Sequence, residues 1–432
     1  MTDAGPLHTI ERRVQERARH AAIDMAATDG EGALRALIHE EVDRWDDEYR
    51  RGLHTVAVAD AALADRAFRN LARYGPLTEL LADDDVWEIM INAPDLIFVK
   101  RHRGASGYHV EVFHDDDHVL RTMTKLLDDA SSSHRKLDPA EGLQDAQLDS
   151  GARVHIVHGD LARGGHLMVN IRKFTGVPFR SLDQLVERGM LDHRAARFLA
   201  DCVKADLSIV FAGPPGSGKT TLLSCCAAEL DPSRRVVVAE EVFEADVPVA
   251  NVASMQTRPA RVDRPGIDLR HLVAGFLRMA PDVAIVGEVR DREALPLLLT
   301  LSSGVTGFTT IHAGSARQAL TRLRFVAQLS DAASNLPLSA LNALVSESID
   351  VVVHARRTAH GPRVTEIALV EDLAGGAEAA QLTVTDVFRR AGSLAHDAPL
   401  DWTGNVPVRA AQAFDDAGLD LLGALRDRAS YP

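Results

Sequence analysis

Gly213-Pro214-Pro215-Gly216-Ser217-Gly218-Lys219-Thr220 follows the apolar run Leu207-Ser208-Ile209-Val210-Phe211-Ala212 and continues through Thr221 into a helix-forming stretch. An apolar strand, a loop with glycines at fixed spacing and a helix opening at a lysine together make a phosphate-binding loop. The glycines let successive backbone N–H groups turn inward as an anion nest, and the helix start adds its positive dipole end behind them. The spacing predicts triphosphate binding by Gly213, Pro214, Pro215, Gly216, Ser217, Gly218, Lys219, Thr220 and Thr221. Lys219 would reach the β- and γ-phosphates as a point charge, and the Thr220 hydroxyl would coordinate Mg²⁺ beside them.

A chain of 432 residues has room for two to three domains of about 150 residues each. The three cysteines, Cys202, Cys225 and Cys226, fit core packing in a reducing compartment. With 48 Lys and Arg against 62 Asp and Glu, the net charge is −14, which disfavours non-specific nucleic-acid binding. No apolar run approaches the ~20 residues that cross a bilayer, and the first 30 residues are charged where a signal peptide would be apolar. The expectation is a soluble protein whose membrane role, if any, runs through a partner. The basic run Lys100-Arg101-His102-Arg103 reads as a solvated hairpin turn.

Working outward from the loop, strand and helix alternate: 207–212, a helix from Lys219, 235–239, a helix near 268–279, 283–287, 307–311, helices at 315–328 and 338–347, and 350–354. That order predicts a twisted, mostly parallel sheet with ligand at the strand C-terminal ends. Upstream, Val86–Ile91, Leu96–Lys100, Tyr108–Phe113, Arg153–Val157 and Leu167–Phe174 are β-rich, with a helix over His118–Asp128. Residues 8–70 read as helices on the three-and-four spacing of Leu34, Leu37, Ile38, Val42 and Trp45, with Gly30 and Gly32 interrupting the pattern before them. The organisation is a helical segment over 1–73, an α+β domain over 74–174, a linker over 175–185, a P-loop domain over 186–356, and C-terminal strands and tail over 357–432.

An acid is also needed at the edge where phosphates would lie, and Val283-Ala284-Ile285-Val286-Gly287-Glu288-Val289-Arg290 supplies Glu288. Gly287 stands where an Asp is the ordinary expectation. With these residues the chain resembles the type II/IV secretion and pilus-assembly ATPases, most closely the tight-adherence (Flp) pilus branch, with relatives in VirB11-type secretion. In that family the strand does end in Gly-Glu-x-Arg, matching Gly287, Glu288 and Arg290. Ala239-Glu240-Glu241-Val242-Phe243-Glu244 resembles its acidic box, and Thr309-Thr310-Ile311-His312-Ala313 its histidine box. Leu277-Arg278-Met279-Ala280-Pro281-Asp282 resembles a further box. Gly75-Pro76-Leu77 through Asn92 is similar to its domain start, and Gly151-Ala152-Arg153-Val154 and Ile171-Arg172-Lys173-Phe174 to its arginine segments. Glu241, Ala280, Gln147 and Val305 depart from the common residues.

The resemblance implies a RecA-like P-loop ATPase domain preceded by an α+β domain and a helical segment, with ATP and Mg²⁺ as ligands. It implies catalytic roles for Glu240, Glu288, His312, Arg153 and Arg172, with Thr220 and Glu288 at the metal. Glu240 and Glu288 would share the tasks of holding metal-bound water and orienting the attacking water. The implied machine is a cytoplasmic hexameric ring at the inner face of the membrane, converting ATP hydrolysis into domain motion against an inner-membrane platform protein. It would drive pilus assembly or secretion. The alternatives are a VirB11-type motor for conjugative protein or DNA transfer, and a nucleotide-dependent scaffold or switch with low turnover.

Overall fold

The computed structural model describes residues 5–23, 29–58, 62–102, 104–130, 136–173, 179–258, 264–330, 336–358, 360–371, 382–390 and 398–426. The chain divides into two compact units, Met1–Thr175 and Gly176–Pro432.

The first unit opens with helices α1 (Pro6–His20), α2 (Gly30–Arg50) and α3 (Leu63–Ala72). The predicted stripe of α2 builds their core: Leu34, Ile38 and Trp45 are buried with Ile10, Val14, Ala67 and Phe68, while Leu37 and Val42 pack at the edge. Gly30 and Gly32 lie in the first turn of α2. Glu41 is 0 % exposed and is held by Arg17 at 2.8 Å and Arg44 at 2.9 Å, the pairing a buried carboxylate needs. The helices are not a free-standing segment. Glu11 accepts hydrogen bonds from Asn70 at 2.7 Å and from the His114 ring at 2.8 Å, fastening α1 to the α+β layer.

That layer comprises α4 (Leu77–Ala82), β1 (Val86–Ala93), β2 (Leu96–Arg101), β3 (Gly107–Tyr108), α5 (Asp116–Asp128), β4 (Leu143–Gln147), β5 (Arg153–Val157) and β6 (Met168–Arg172). The strands form an antiparallel sheet in the order β3-β2-β1-β6-β5-β4. Two-residue periodicity sends Ile89, Ile91, Val154, Ile156, Val169 and Ile171 into the core with Leu77, Leu80, Val119 and Met123. The segment expected as a strand over Tyr108–Phe113 pairs only at Gly107–Tyr108. β4 escapes sequence reading because Leu143-Gln144-Asp145-Ala146-Gln147 contains no β-branched or aromatic residue. In the basic run, Lys100 pairs with Glu88 and Arg101 with Asp83, so its charge is locally neutralised; Arg103 lies outside the described residues.

The second unit contains α6 (Leu182–Glu187), α7 (His193–Lys204), β7 (Ile209–Ala212), α8 (Lys219–Ala227), β8 (Val236–Glu240), β9 (Val252–Gln256), α9 (Leu269–Ala274), β10 (Val283–Val289), α10 (Ala294–Leu301), β11 (Thr306–Ile311), α11 (Ala316–Gln328) and α12 (Leu338–Ser348). It continues with β12 (Val351–Thr358), β13 (Gly361–Val370), β14 (Val384–Arg390), β15 (Leu400–Trp402), α13 (Val408–Asp416) and α14 (Leu421–Arg426). The nine strands run β9-β8-β10-β11-β7-β12-β13-β14-β15. The first six are parallel and the last three antiparallel. One face is covered by α6, α7, α8, α13 and α14 around Phe198, Phe388 and Phe414. The other is covered by α9 to α12 around Val273, Leu297, Leu320 and Leu341. Coverage on both faces explains the uninterrupted apolar strands. The three cysteines are buried in this unit, and burial pushes the Cys225 thiol up to about 12.

Two of the expected boundaries fall within packed structure. Thr175-Gly176-Val177-Pro178 lies outside the described residues, but the remainder of the 175–185 linker is not spacer. Ser181 caps α6 by accepting from the Gln184 N–H, and Leu182 and Leu185 enter the core. Residues 357–432 are not an appendage, because β13 pairs with β12 along Val351–Thr358 and Phe414 and Leu425 are fully buried.

Burial, reinforced by His114 and Arg121, pushes the His118 imidazole from 6.5 down to about 3. Between those values the unfolded chain holds a proton that the folded chain refuses. The neutral imidazole's contribution is therefore complete above pH 6.5 and drains as pH falls, at about 1.4 kcal/mol per pH unit. Calorimetric unfolding of the full chain from about pH 7 to about pH 5 is expected to show the Met1–Thr175 transition moving down. His118→Gln should flatten that slope by about one proton; an unchanged slope contradicts the assignment.

Candidate nucleotide site

Because β10, β11, β7 and β12 are parallel neighbours, their C-terminal ends converge on one edge. β7 delivers the phosphate loop there. Gly213 has φ 152°, and a Cβ at this position would stand 2.2 Å from the Ala355 carbonyl oxygen. Only glycine passes between β7 and β12. Gly218, at φ 85°, sits against Met190 and Pro362 and starts α8. Inside the loop, Ser217 is 0 % exposed and its Oγ has no hydrogen-bond partner among the described residues. A buried, unanswered hydroxyl in a glycine-rich loop at a helix start fits an oxyanion ligand.

Lys219 is buried, its Nζ 3.2 Å from the Pro214 carbonyl oxygen and 3.3 Å from His312 Nδ1. His312 follows β11, and its Nδ1 also lies 3.1 Å from the Gly213 carbonyl oxygen. As the neutral ring protonated at Nε2 it takes a hydrogen bond from the lysine; as imidazolium it gives Nδ1–H to the carbonyl. His312 Nε2 lies 2.8 Å from Glu288 Oε1, an ion-pair contact rather than an aligned hydrogen bond. Glu288 Oε2 accepts from Arg290 at 2.7 Å, and Arg290 reaches on to Glu241 at 2.9 Å. Burial pushes the Glu288 carboxyl up, but the close His312 ring and the hydrogen bond from Arg290 outweigh it and hold the acid well below its usual range. Glu288 thus stays ionised.

Glu240 ends β8 and is 3 % exposed. Its Oε1 accepts from the Glu244 and Ala245 N–H groups at 3.0 and 2.9 Å, so the side chain organises the acidic box. A Cβ at Gly287 would lie 2.8 Å from Glu240 Cγ. The glycine that departs from an ordinary Asp is therefore the space through which Glu240 crosses. Thr309 and Thr310 donate to the Val286 and Gly287 carbonyl oxygens at 2.8 and 2.7 Å, fixing β11 against that strand.

The structure thus brings Lys219, His312, Glu288 and Glu240 to one edge. The box at 277–282 falls elsewhere: Asp282 accepts from the Arg235 N–H at 2.7 Å, at the opposite end of β10. Arg153 and Arg172 belong to the first unit, where they face each other across β5 and β6. They sit within the cross-strand row Lys100, Glu88, Arg172, Arg153, Gln147. Sequence reasoning left Arg290 out of the site, although it lies only two residues beyond Glu288, just past the end of β10. The Ala355 wedge carried no local signal.

A parallel sheet carrying a phosphate loop, an ionised acid on an adjoining strand and a histidine between them define a P-loop ATP hydrolase. The chain belongs to the family described as Type II/IV secretion system protein, which matches residues 70–367. It is 32 % identical over 306 residues to the type IV secretion system protein PtlH of Bordetella pertussis, covering 65 % of this chain and 88 % of that protein. It is 30 % identical over 314 residues to a Mycobacterium tuberculosis protein named for conjugal transfer, covering 71 % and 86 %. Among solved structures, the VirB11 ATPase of the Brucella suis type IV secretion system is similar at 25 % identity and TM-score 0.37, covering 71 % of this chain and 96 % of that one. No described helix is long and apolar enough to cross a membrane.

Gly287→Ala should push Glu240 off the Glu244 and Ala245 amides, destabilising the second unit by about 1–3 kcal/mol. Amide exchange over 241–245 should rise while nucleotide still binds. Unchanged exchange there would show that the glycine is not kept for Glu240.

Proposed function

We propose that this chain is a motor ATPase that couples ATP hydrolysis to relative motion of its two units. It would work as a hexameric, cytoplasmic ring on an inner-membrane platform protein to drive pilus assembly or secretion. The observation that carries the reading is the unbroken line Lys219, His312, Glu288, Arg290, Glu241 at the strand ends. A phosphate arriving at Lys219 is felt at Glu288 through one imidazole. Membership of the secretion family supports the machine, and the resemblance to tight-adherence ATPases favours pilus assembly within it.

In the proposed cycle the loop amides and the Ser217 hydroxyl hold the phosphates, and Lys219 turns from the Pro214 carbonyl to the β- and γ-oxygens. Magnesium bound with ATP would neutralise phosphate charge, held by Thr220 and, through water, Glu288. Glu288 also orients the attacking water. Glu240, committed to the Glu244 and Ala245 amides, positions the acidic box around it. His312 exchanges its partner between Glu288 and the γ-phosphate, which makes it the reporter of hydrolysis. Arg153 and Arg172 are like charges directly opposite one another on a sheet, a pair that an added anion would bridge. We assign that anion as the nucleotide phosphate, gripped when the two units close and released after hydrolysis. A scaffold with low turnover would not need this arrangement.

The test is steady-state phosphate release beside nucleotide affinity. Lys219→Ala should remove turnover in a folded protein, and Glu288→Gln should slow hydrolysis while ATP stays bound. Arg153→Ala or Arg172→Ala should lower turnover by ~10- to 10³-fold, less than a lone arginine finger supplies, with affinity changed only modestly. Wild-type turnover in both arginine variants sinks the two-unit mechanism; wild-type turnover in Lys219→Ala sinks the site.

A further inference from the structure

The loop that carries His312 runs through Ala313 and Gly314 to Ser315, which caps α11 by accepting from the Gln318 N–H at 3.2 Å. Gln318 in turn accepts from the Gly314 N–H at 3.1 Å. Neither bond ties the loop to the rest of the unit. That anchor comes from the antiparallel extension. Glu366 on β13, only 9 % exposed, accepts the Ala316 N–H at 3.0 Å through Oε2, a carboxylate on the positive end of a thirteen-residue helix. Directly across the ladder from Glu366 stands His354 of β12, 3 % exposed. The ladder between β12 and β13 shifts register just here, between His354 and Ala355. The extra residue, Thr365, places its Oγ1 2.7 Å from His354 Nδ1. A bulge beside a functional loop re-aims side chains, and this one fixes the imidazole. Behind the pair, Arg389 of β14 contacts Glu366 at 3.2 Å and Asp386 at 3.0 Å.

We infer that Glu366 is a positioning residue that sets His312 between Lys219 and Glu288, so that the β13–β14 extension holds the reporter histidine in register. The inference rests on the role proposed above for His312. It adds that the histidine's placement is decided by strands lying beyond the loop it sits on. β12 pairs with β7 at His354 and Ala212, the residue before the phosphate loop. Hence the same strand pair that wedges Gly213 also steadies the histidine, and a displacement of the extension reaches both.

The test uses the full chain with Glu366→Ala, Glu366→Gln, His312→Ala and the double variant Glu366→Ala/His312→Ala. Amide exchange over 312–320 needs no turnover: it should accelerate in Glu366→Ala and return towards wild type in Glu366→Gln, whose amide oxygen still accepts the Ala316 N–H. Unaltered exchange in Glu366→Ala overturns the brace. In turnover, Glu366→Ala should lower kcat by about tenfold to a hundredfold, with KM and nucleotide affinity within about twofold of wild type. In the His312→Ala background the same change should cost less than about twofold, since its effect passes through the ring; equal losses in both backgrounds overturn the inference. Should Glu366→Ala not fold, Arg389→Ala, at a side chain more than half exposed, leaves Glu366 beside Asp386 without its cation. It should raise exchange over 312–320 and lower kcat by a smaller factor, and no change in either overturns the brace. A wild-type chain without ATP hydrolysis sinks the ATPase reading instead, while the exchange measurements still decide the brace.

Discussion

One imidazole set between an ammonium and a carboxylate organises the edge where the parallel strands end, and the order of the sheet is what allows it. Lys219 comes from the loop after β7, His312 from the end of β11 and Glu288 from the end of β10, three strands adjacent in the order β10-β11-β7. The middle strand's side chain can therefore touch the groups of both neighbours. An antiparallel neighbour would present its opposite end at this edge. In a partly buried setting such charge-assisted contacts are stronger than neutral hydrogen bonds and polarise one another. Changing the charge near Lys219 then alters the balance at Glu288 and Arg290.

The two acids near this edge have different surroundings and consequently different uses. Glu288 is only partly buried and has Arg290 at one oxygen and the His312 ring at the other, which keep it charged and available to water. Glu240 is almost wholly buried and committed to backbone N–H groups. Gly287 is the common element, because a side chain there would displace Glu240 from the amides it organises. A departure from the ordinary acidic strand thus follows from packing between two strands rather than from the chemistry of phosphate.

The antiparallel part of the large sheet is a working part of the same unit. It supplies the wedge behind Gly213, the apolar seat of Gly218 at Pro362 and the carboxylate on the start of α11. Its outer helices complete the core around Phe198. The first unit carries its own concentration of charge, where a row of five side chains crosses five strands and includes two arginines in direct opposition.

What the sequence determined by itself was whatever depends on local spacing. The phosphate loop followed from Gly213, Gly216, Gly218 and Lys219, and the parallel sheet from apolar runs separated by helices. Glu288 and His312 were legible as residues at strand ends once the resemblance supplied their boxes. β4 and α10 were not legible, the first because its residues have weak strand preference, the second because a run apolar on all sides shows no helical period. The reason Gly287 is glycine, the partner of Arg290, the wedge at Ala355 and the hold of Glu366 on Ala316 were decided by the tertiary structure alone. They join residues as far apart as Gly287 and Glu240 or Gly213 and Ala355, Arg290 and Glu241, and Glu366 and Ala316. Register between strands so distant in the chain is fixed by packing of both sheet faces at once, and no short stretch of sequence carries it.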